Sequence, residues 1–225
     1  MAGHFPRILR LLRYSPGGQL ISAMFSSSLP DMLQESLYPI GQGPSIESGN
    51  KPAAVLAPLL RSGSEWHLLF TLRADQIGGP HAGQVSFPGG KREPRDRDLL
   101  DTALRETGEE IGVFRPDIRV LGQLTSFPTG TGYHITPFVG LIHWPYMLSL
   151  NRFEVAAAFT VPVRWLAIPE NFSRRERLPG PDMTILPSIR YKAYDGRVIW
   201  GATAWITYEL IRAICSTGEN ETRSS

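Results

Sequence analysis

The hydrophobic positions of this chain fall into short apolar runs, bounded by Gly, Pro and polar residues, and two longer stretches with helical spacing. Residues 53–60 and 66–73 are apolar runs separated by Arg-Ser-Gly-Ser-Glu, which predicts two strands joined as a hairpin. A Gly-rich bend at 78–83 leads into Gln-Val-Ser-Phe-Pro-Gly-Gly, read as a short strand ending in a Pro-Gly-Gly turn. From 98 to 111, Leu99, Leu100, Ala103 and Leu104 share one face, acids crowd the far end and Gly112 stops the pattern, which predicts a helix. Two more strands are expected at 118–124 and 134–142, with a loop between them. Residues 151–168 begin as a polar turn and become apolar, with a short helix starting near Val161, and 169–186 read as a Pro- and Arg-rich loop. A strand-like stretch follows at 188–196. The last element is a helix carrying Ala204, Ile206, Leu210, Ile211 and Ile214 on its packed face. Strands grouped around one or two helices, without an internal repeat, define an α/β (α+β) sandwich.

Upstream of this body the pattern weakens. Residues 15–51 are rich in Ser, Pro and Gly and read as an extended lead-in rather than a periodic element. The expected division is therefore 1–51 as N-terminal helix and linker, 52–215 as the domain, and 216–225 as a tail. Arg7, Arg10 and Arg13, several serines and no acid before Asp31 resemble a mitochondrial presequence, but an amphipathic first helix at 5–12 packed on the domain is the preferred reading. A cytoplasmic location is expected, with the mitochondrial matrix as the alternative.

Composition narrows the classes. The 225 residues, 42% hydrophobic and 20% charged, suffice for one domain with a sizeable core and exclude disorder throughout. A net charge of +2 without a basic tract argues against a general grip on nucleic acid. No apolar run reaches the ~18–20 residues of a membrane-spanning helix. The single cysteine, Cys215, excludes an internal disulfide and a multi-Cys zinc site and is read as a buried small hydrophobe. The oligomeric state is left open, a homodimer included.

The chemistry concentrates in the helix at 98–111. Glu106, Glu109 and Glu110 stand at i, i+3 and i+4, so three carboxylates emerge from neighbouring points. Each such like-charge pair costs a helix ~0.2–0.5 kcal/mol, and acids at a helix C-terminus also oppose the dipole. A hard divalent cation, Mg²⁺ or Mn²⁺, relieves both penalties and bridges substrate phosphates. A solvated acidic face is the alternative for three glutamates taken alone.

Their neighbours decide between the two. The stretch from Gly90, Gly-Lys-Arg-Glu-Pro-Arg-Asp-Arg-Asp-Leu-Leu-Asp-Thr-Ala-Leu-Arg-Glu-Thr-Gly-Glu-Glu-Ile-Gly-Val, resembles the signature of the Nudix hydrolases. It departs in having Asp96 where a Glu is usual, a spacer one residue longer, and Thr107 at an aliphatic position. Residues 68–91, from Leu-Leu-Phe-Thr-Leu-Arg to Phe-Pro-Gly-Gly-Lys, are similar to the upstream motif of the coenzyme A pyrophosphatase subfamily, although Pro80 stands where a basic residue is frequent. The segments at 151–163 and 186–206 are similar to that subfamily's downstream ones. The likeness spans roughly 53–214.

The resemblance implies an α/β/α sandwich with a mixed central sheet, and hydrolysis of coenzyme A or acyl-CoA to 3′,5′-ADP and a 4′-phosphopantetheine product. It further implies Mg²⁺ or Mn²⁺ on Glu106, Glu110 and Glu109 with the Gly89 carbonyl assisting, and Arg105 orienting a glutamate. Glu154 is the candidate general base, with Glu109 the alternative. Arg73, His81 and Lys91 are candidate phosphate contacts, each with a structural reading beside it. Trp200 and Tyr191 are read as core residues or, alternatively, as platforms for a base. The rival functions are a Nudix hydrolase of a nucleotide sugar, dinucleotide or capped RNA, and a non-catalytic nucleotide sensor.

Overall fold

A strand that is apolar at consecutive rather than alternate positions is covered on both faces. The computed structural model describes residues 26–45, 49–74, 83–175 and 187–220, and it places that strand, β1 (Lys51–Ser62), inside an eight-stranded mixed sheet. β2 (Glu65–Arg73) returns antiparallel, with Ser62 opposite Glu65, so the expected hairpin is present. On the other side β7 (Tyr133–Ile142) runs parallel to β1, from Lys51 opposite Tyr133 to Leu59 opposite Leu141. β5 (Ile118–Gln123) lies antiparallel outside β7. The short strands β3 (Val85–Ser86), β4 (Gly89–Lys91) and β6 (Phe127–Pro128) pair with β2, β1 and β7 respectively. Pro58, a residue that cannot donate to a ladder, falls between the β1–β4 pairing at 53–55 and the β1–β2 pairing at 59–62.

Residues on alternate sides of these strands enter two separate cores. Ala54, Leu56, Leu60 and Leu69 pack under helix α2 (Leu99–Ile111) together with Leu100, Ala103, Leu104 and Ile111. Ala57, Leu59, Leu68 and Phe70 face the opposite way, toward α1 (Leu29–Ser36) and the long C-terminal helix α4 (Gly201–Asn220). The result is the expected α/β/α sandwich with a mixed central sheet. A second, three-stranded sheet of β9 (Phe172–Arg175), β10 (Ser188–Tyr194) and β11 (Arg197–Trp200) adds to the α4 side.

Four readings of the sequence change. Helix α1 lies inside the stretch read as an extended lead-in. Leu29, Leu33 and Leu37 recur every fourth residue, and all three are buried against the α4 side of the sheet. Residues 155–162, not assigned to a strand, form β8 (Val155–Pro162), antiparallel to β2, ahead of the expected short helix α3 (Val163–Ala167). Residues 172–175 of the presumed loop form β9. Gly89 and Gly90 are not a turn but the first residues of β4, opposite Val55 and Ala54. The expected face of α4 is buried as read, whereas Cys215 is only partly buried at the margin of that core. The N-terminal helix expected at 5–12 lies outside the described residues, and among those described no helix is long and apolar enough to cross a membrane.

Candidate active site

Helix α2 is fixed at both ends by its own sequence. Asp98 caps the start by accepting a hydrogen bond from the Asp101 N–H at 2.7 Å, and Gly112 ends it in the left-handed conformation (φ +72°), its N–H donating to the Gly108 carbonyl. Thr107, buried at a position usually aliphatic, satisfies its hydroxyl by donating to the Ala103 carbonyl at 2.7 Å. With the apolar stripe against β1, the glutamates at the last turn are turned toward β4 and the ends of β2 and β8.

Those glutamates do not act as one face. Glu106, Glu110 and Glu154 each bring a carboxylate oxygen to within 4.8 Å of the others. Glu109 is drawn outward, 45% exposed, where its two oxygens accept from Arg95 and Arg105, both at 2.9 Å. Glu106 reaches the trio because Gly90 has no side chain. Glu154 arrives from another part of the chain, on the turn before β8, with its carbonyl accepting from the Ala74 N–H at 2.8 Å.

Burial sets the electrostatics. Glu110 is nearly inaccessible, and desolvation pushes its carboxyl up to about 8, partly opposed by the positive charge of Arg73 and reinforced by Glu106 and Glu154; a backbone hydrogen bond from Gly89 also favours the ionised form. Its Oε2 is buried without a hydrogen-bond partner among the described residues. Glu106 is raised for the same leading reason, desolvation, against the pull of Arg105. A buried carboxylate oxygen with no donor, beside two further carboxylates, fits a hard divalent cation that takes oxygen ligands.

Arg105 organises the outer side of this group. Its guanidinium forks onto Asp96 (Nε to Oδ1 2.8 Å, Nη2 to Oδ2 3.1 Å), while Nη1 donates to Glu106 and Glu109 and Nη2 also reaches the Lys91 carbonyl. Asp96, itself buried, accepts in addition from Thr102 Oγ1 and the Glu93 N–H, and hydrogen bonding to Arg105 holds its carboxyl well below the usual range. The Asp96–Arg105 pair is therefore the rigid post from which Glu106 is held.

The remaining candidates spread around the trio. Arg73, exposed, ends β2 opposite Val155, the residue after Glu154. Lys91 is exposed on β4 opposite Ala53, and Gly89 sits in β4 opposite Val55. His81 lies outside the described residues. Tyr191 is buried in an aromatic group with Trp165 and Phe172, a core residue, whereas Trp200 is 46% exposed at the end of β11. Asn151 was not singled out from the sequence. It hydrogen-bonds both the end of α2 and the Glu154 carboxylate, and its signal was only an Asn in a polar turn, a residue suited to bonding nearby backbone.

Helix, glycine strand and carboxylate trio together form a candidate cation site, and comparison with known proteins gives the family of the chain. Residues 50–178 match the NUDIX domain model, and the chain belongs to the Nudix family. It is similar to the uncharacterized Nudix hydrolase NudL of Yersinia pestis (strain Pestoides F), 38% identical over 165 residues that cover 73% of this chain and 80% of that protein. The same values hold for NudL of Yersinia pseudotuberculosis serotype O:1b (strain IP 31758). Among solved structures, a Nudix hydrolase from M. smegmatis, RenU, aligns at 21% identity with a TM-score of 0.44, covering 54% of this chain and 76% of its own. The protein is thus a Nudix hydrolase acting on a nucleoside diphosphate derivative, in a family that generally uses divalent metal ions.

Proposed function

We propose that the chain hydrolyses the diphosphate bond of coenzyme A or an acyl-CoA, releasing 3′,5′-ADP and 4′-phosphopantetheine or its acyl derivative. The observation that carries the hydrolytic part is the convergence of Glu106, Glu110 and Glu154 within 4.8 Å, with the Glu110 Oε2 buried and unpartnered. The substrate rests on the resemblance of residues 68–91, 151–163 and 186–206 to the coenzyme A pyrophosphatases.

In this reading Glu106, Glu110 and Glu154 would hold Mg²⁺ or Mn²⁺ with the Gly89 carbonyl assisting, while Glu109, its two oxygens engaged by Arg95 and Arg105, would stand outside the ligand set. A divalent ion bound there would neutralise the diphosphate and acidify a water. Glu154, the most exposed of the trio, takes the proton of the attacking water, and Glu109 is the alternative base. Arg73, at the end of β2, and Lys91, on β4, bind phosphate oxygens, and His81 is a further candidate for that role. Arg105, anchored by Asp96 through Nε and Nη2, keeps Glu106 from swinging toward solvent through Nη1. Attack at phosphorus then depends on positioning and charge stabilisation.

The test is a hydrolysis screen over CoA, acyl-CoAs, ADP-ribose, dinucleoside polyphosphates and capped RNA with Mg²⁺ or Mn²⁺, with the products separated. Formation of 3′,5′-ADP from CoA as the preferred reaction is expected. Preference for another substrate would move the assignment within the family, and binding without cleavage would make the protein a sensor.

A further inference from the structure

We propose that Asn151 is a positioning residue that sets the Glu154 carboxylate against Glu106 and Glu110, by joining the last turn of α2 to the turn that carries Glu154. The inference rests on the reading of those three carboxylates as a cation site.

Five hydrogen bonds converge on this one residue. The Asn151 N–H donates to the Glu110 carbonyl at 2.9 Å, so the backbone of a trio member is tied directly to it. The Asn151 carbonyl accepts from the N–H groups of Glu154 (3.0 Å) and Val155 (2.8 Å), which closes the turn. Its side-chain Oδ1 accepts from the Phe153 N–H at 3.1 Å, and Nδ2 donates to Glu154 Oε1 at 3.2 Å. The amide orientation follows from its partners. A backbone N–H must meet oxygen and an ionised carboxylate must meet a donor, so a flipped amide would lose both bonds.

Each half of the residue has a separate task. The backbone contacts fix the distance between the Glu110 and Glu154 main chains and would survive any side chain. Only Nδ2 acts on the carboxylate itself. Glu154 is exposed, so its rotamers are not confined by packing, and a donor from within its own turn selects one of them. Aspartate at 151 would set a second carboxylate against Glu154, and serine would keep an acceptor for the Phe153 N–H while holding its one hydroxyl donor a bond short of where Nδ2 stands. Groups that orient a ligand without touching the metal typically matter ~10–100-fold in metal affinity or activity.

The experiment is a Mn²⁺ titration of the substrate-free protein followed by electron paramagnetic resonance, with wild type, Glu110→Gln, Glu154→Gln, Asn151→Ser, Asn151→Ala and Asn151→Ser in the Glu154→Gln background. Circular dichroism melting checks each fold. The Asn151→Ser and Asn151→Ala proteins should bind Mn²⁺ about tenfold more weakly than wild type. In the Glu154→Gln background Asn151→Ser should add less than a further twofold, since the group it positions has changed. In turnover, kcat should fall with KM nearly constant. Unchanged Mn²⁺ affinity in folded Asn151→Ser protein, or a full additional loss on top of Glu154→Gln, would overturn the proposal. If Asn151→Ala does not fold, Asn151→Ser, which keeps the turn acceptor, decides alone. Glu110→Gln protein binding Mn²⁺ as tightly as wild type would instead overturn the cation site itself, a distinct outcome.

Discussion

Gly90 lies so close to Glu106 that a Cβ on the glycine would sit 2.5 Å from the glutamate's Oε1 and 2.6 Å from its carboxyl carbon. The obstacle is the free end of a side chain, not backbone. Gly90→Ala should therefore displace Glu106 while leaving the sheet intact, lowering kcat/KM by about 100-fold, the scale of a misplacement near 1 Å, with little change in melting temperature. Gly89→Ala should damage the fold as well as the site. At φ +153° its Cβ would meet Val55 Cα at 2.6 Å, so the β1–β4 pairing has to open and the melting temperature falls. Steady-state kinetics and thermal melts on both variants separate the two effects.

Glu110→Gln should reduce turnover by orders of magnitude, because it removes a ligand charge. It should also change how stability without metal depends on pH. Burial raises the folded carboxyl to about 8, above its value in the unfolded chain, so the fold favours the protonated form. The unfolded chain then loses its proton first, and metal-free wild type should lose stability as pH rises from about 5 to 8. Relative to wild type, Glu110→Gln protein should gain stability across that window, and added Mg²⁺ should stabilise wild type alone. Melts in EDTA and in Mg²⁺ at several pH values measure this.

Glu154→Gln should lower kcat by ~10²–10⁴ with little change in KM, the range for losing general acid–base assistance. A loss confined to KM would make Glu154 a substrate contact, and full activity would return the base to Glu109.

Asp96→Asn should destabilise the fold as well as the site. Arg105 keeps little exposure and would lose its forked carboxylate, and stripping one partner from a buried pair costs about 3–5 kcal/mol. The Asp96 carboxyl is held below its unfolded value, so its contribution is present at neutral pH and disappears as pH falls through the acid range. Denaturant unfolding of the two proteins should differ most at pH 7 and converge on acidification.

Coenzyme A carries a 3′-phosphate that dephospho-CoA lacks. If Arg73 or Lys91 meets it, dephospho-CoA should be the poorer substrate by kcat/KM, and the gap should shrink in Arg73→Ala or Lys91→Ala. Equal cleavage of the two substrates by wild type would remove the CoA assignment and leave the diphosphatase.

Helix α2 was legible because its signals are redundant: an apolar stripe, an Asp cap, a Gly stop and crowded acids all agree. Helix α1 was not, since Leu29, Leu33 and Leu37 are three apolar residues among Ser, Pro and Gly, and their partners on α4 come from the far end of the chain. Strand β8 escaped because Val-Ala-Ala-Ala-Phe has no alternation, and its middle residues are half-covered. Within the site, helical spacing alone treats Glu106, Glu109 and Glu110 as equals. It is Arg95 and Arg105, the first brought in by the fold, that turn Glu109 away, and a loop some forty residues downstream of the helix that supplies Glu154.

The parallel pairing of β1 with β7 also governs when this protein can acquire its structure. A ribosome must finish β7 before the middle of the sheet has its second neighbour, and must reach α4 before Leu29 and Leu33 are covered. Such distant pairings require large loops to close before they gain contacts, which slows folding relative to helical proteins of equal stability. During synthesis β1, uncharged from Pro52 to Leu60, is thus an exposed apolar segment for most of the chain's emergence, and this is the stage at which a chaperone would have something to hold.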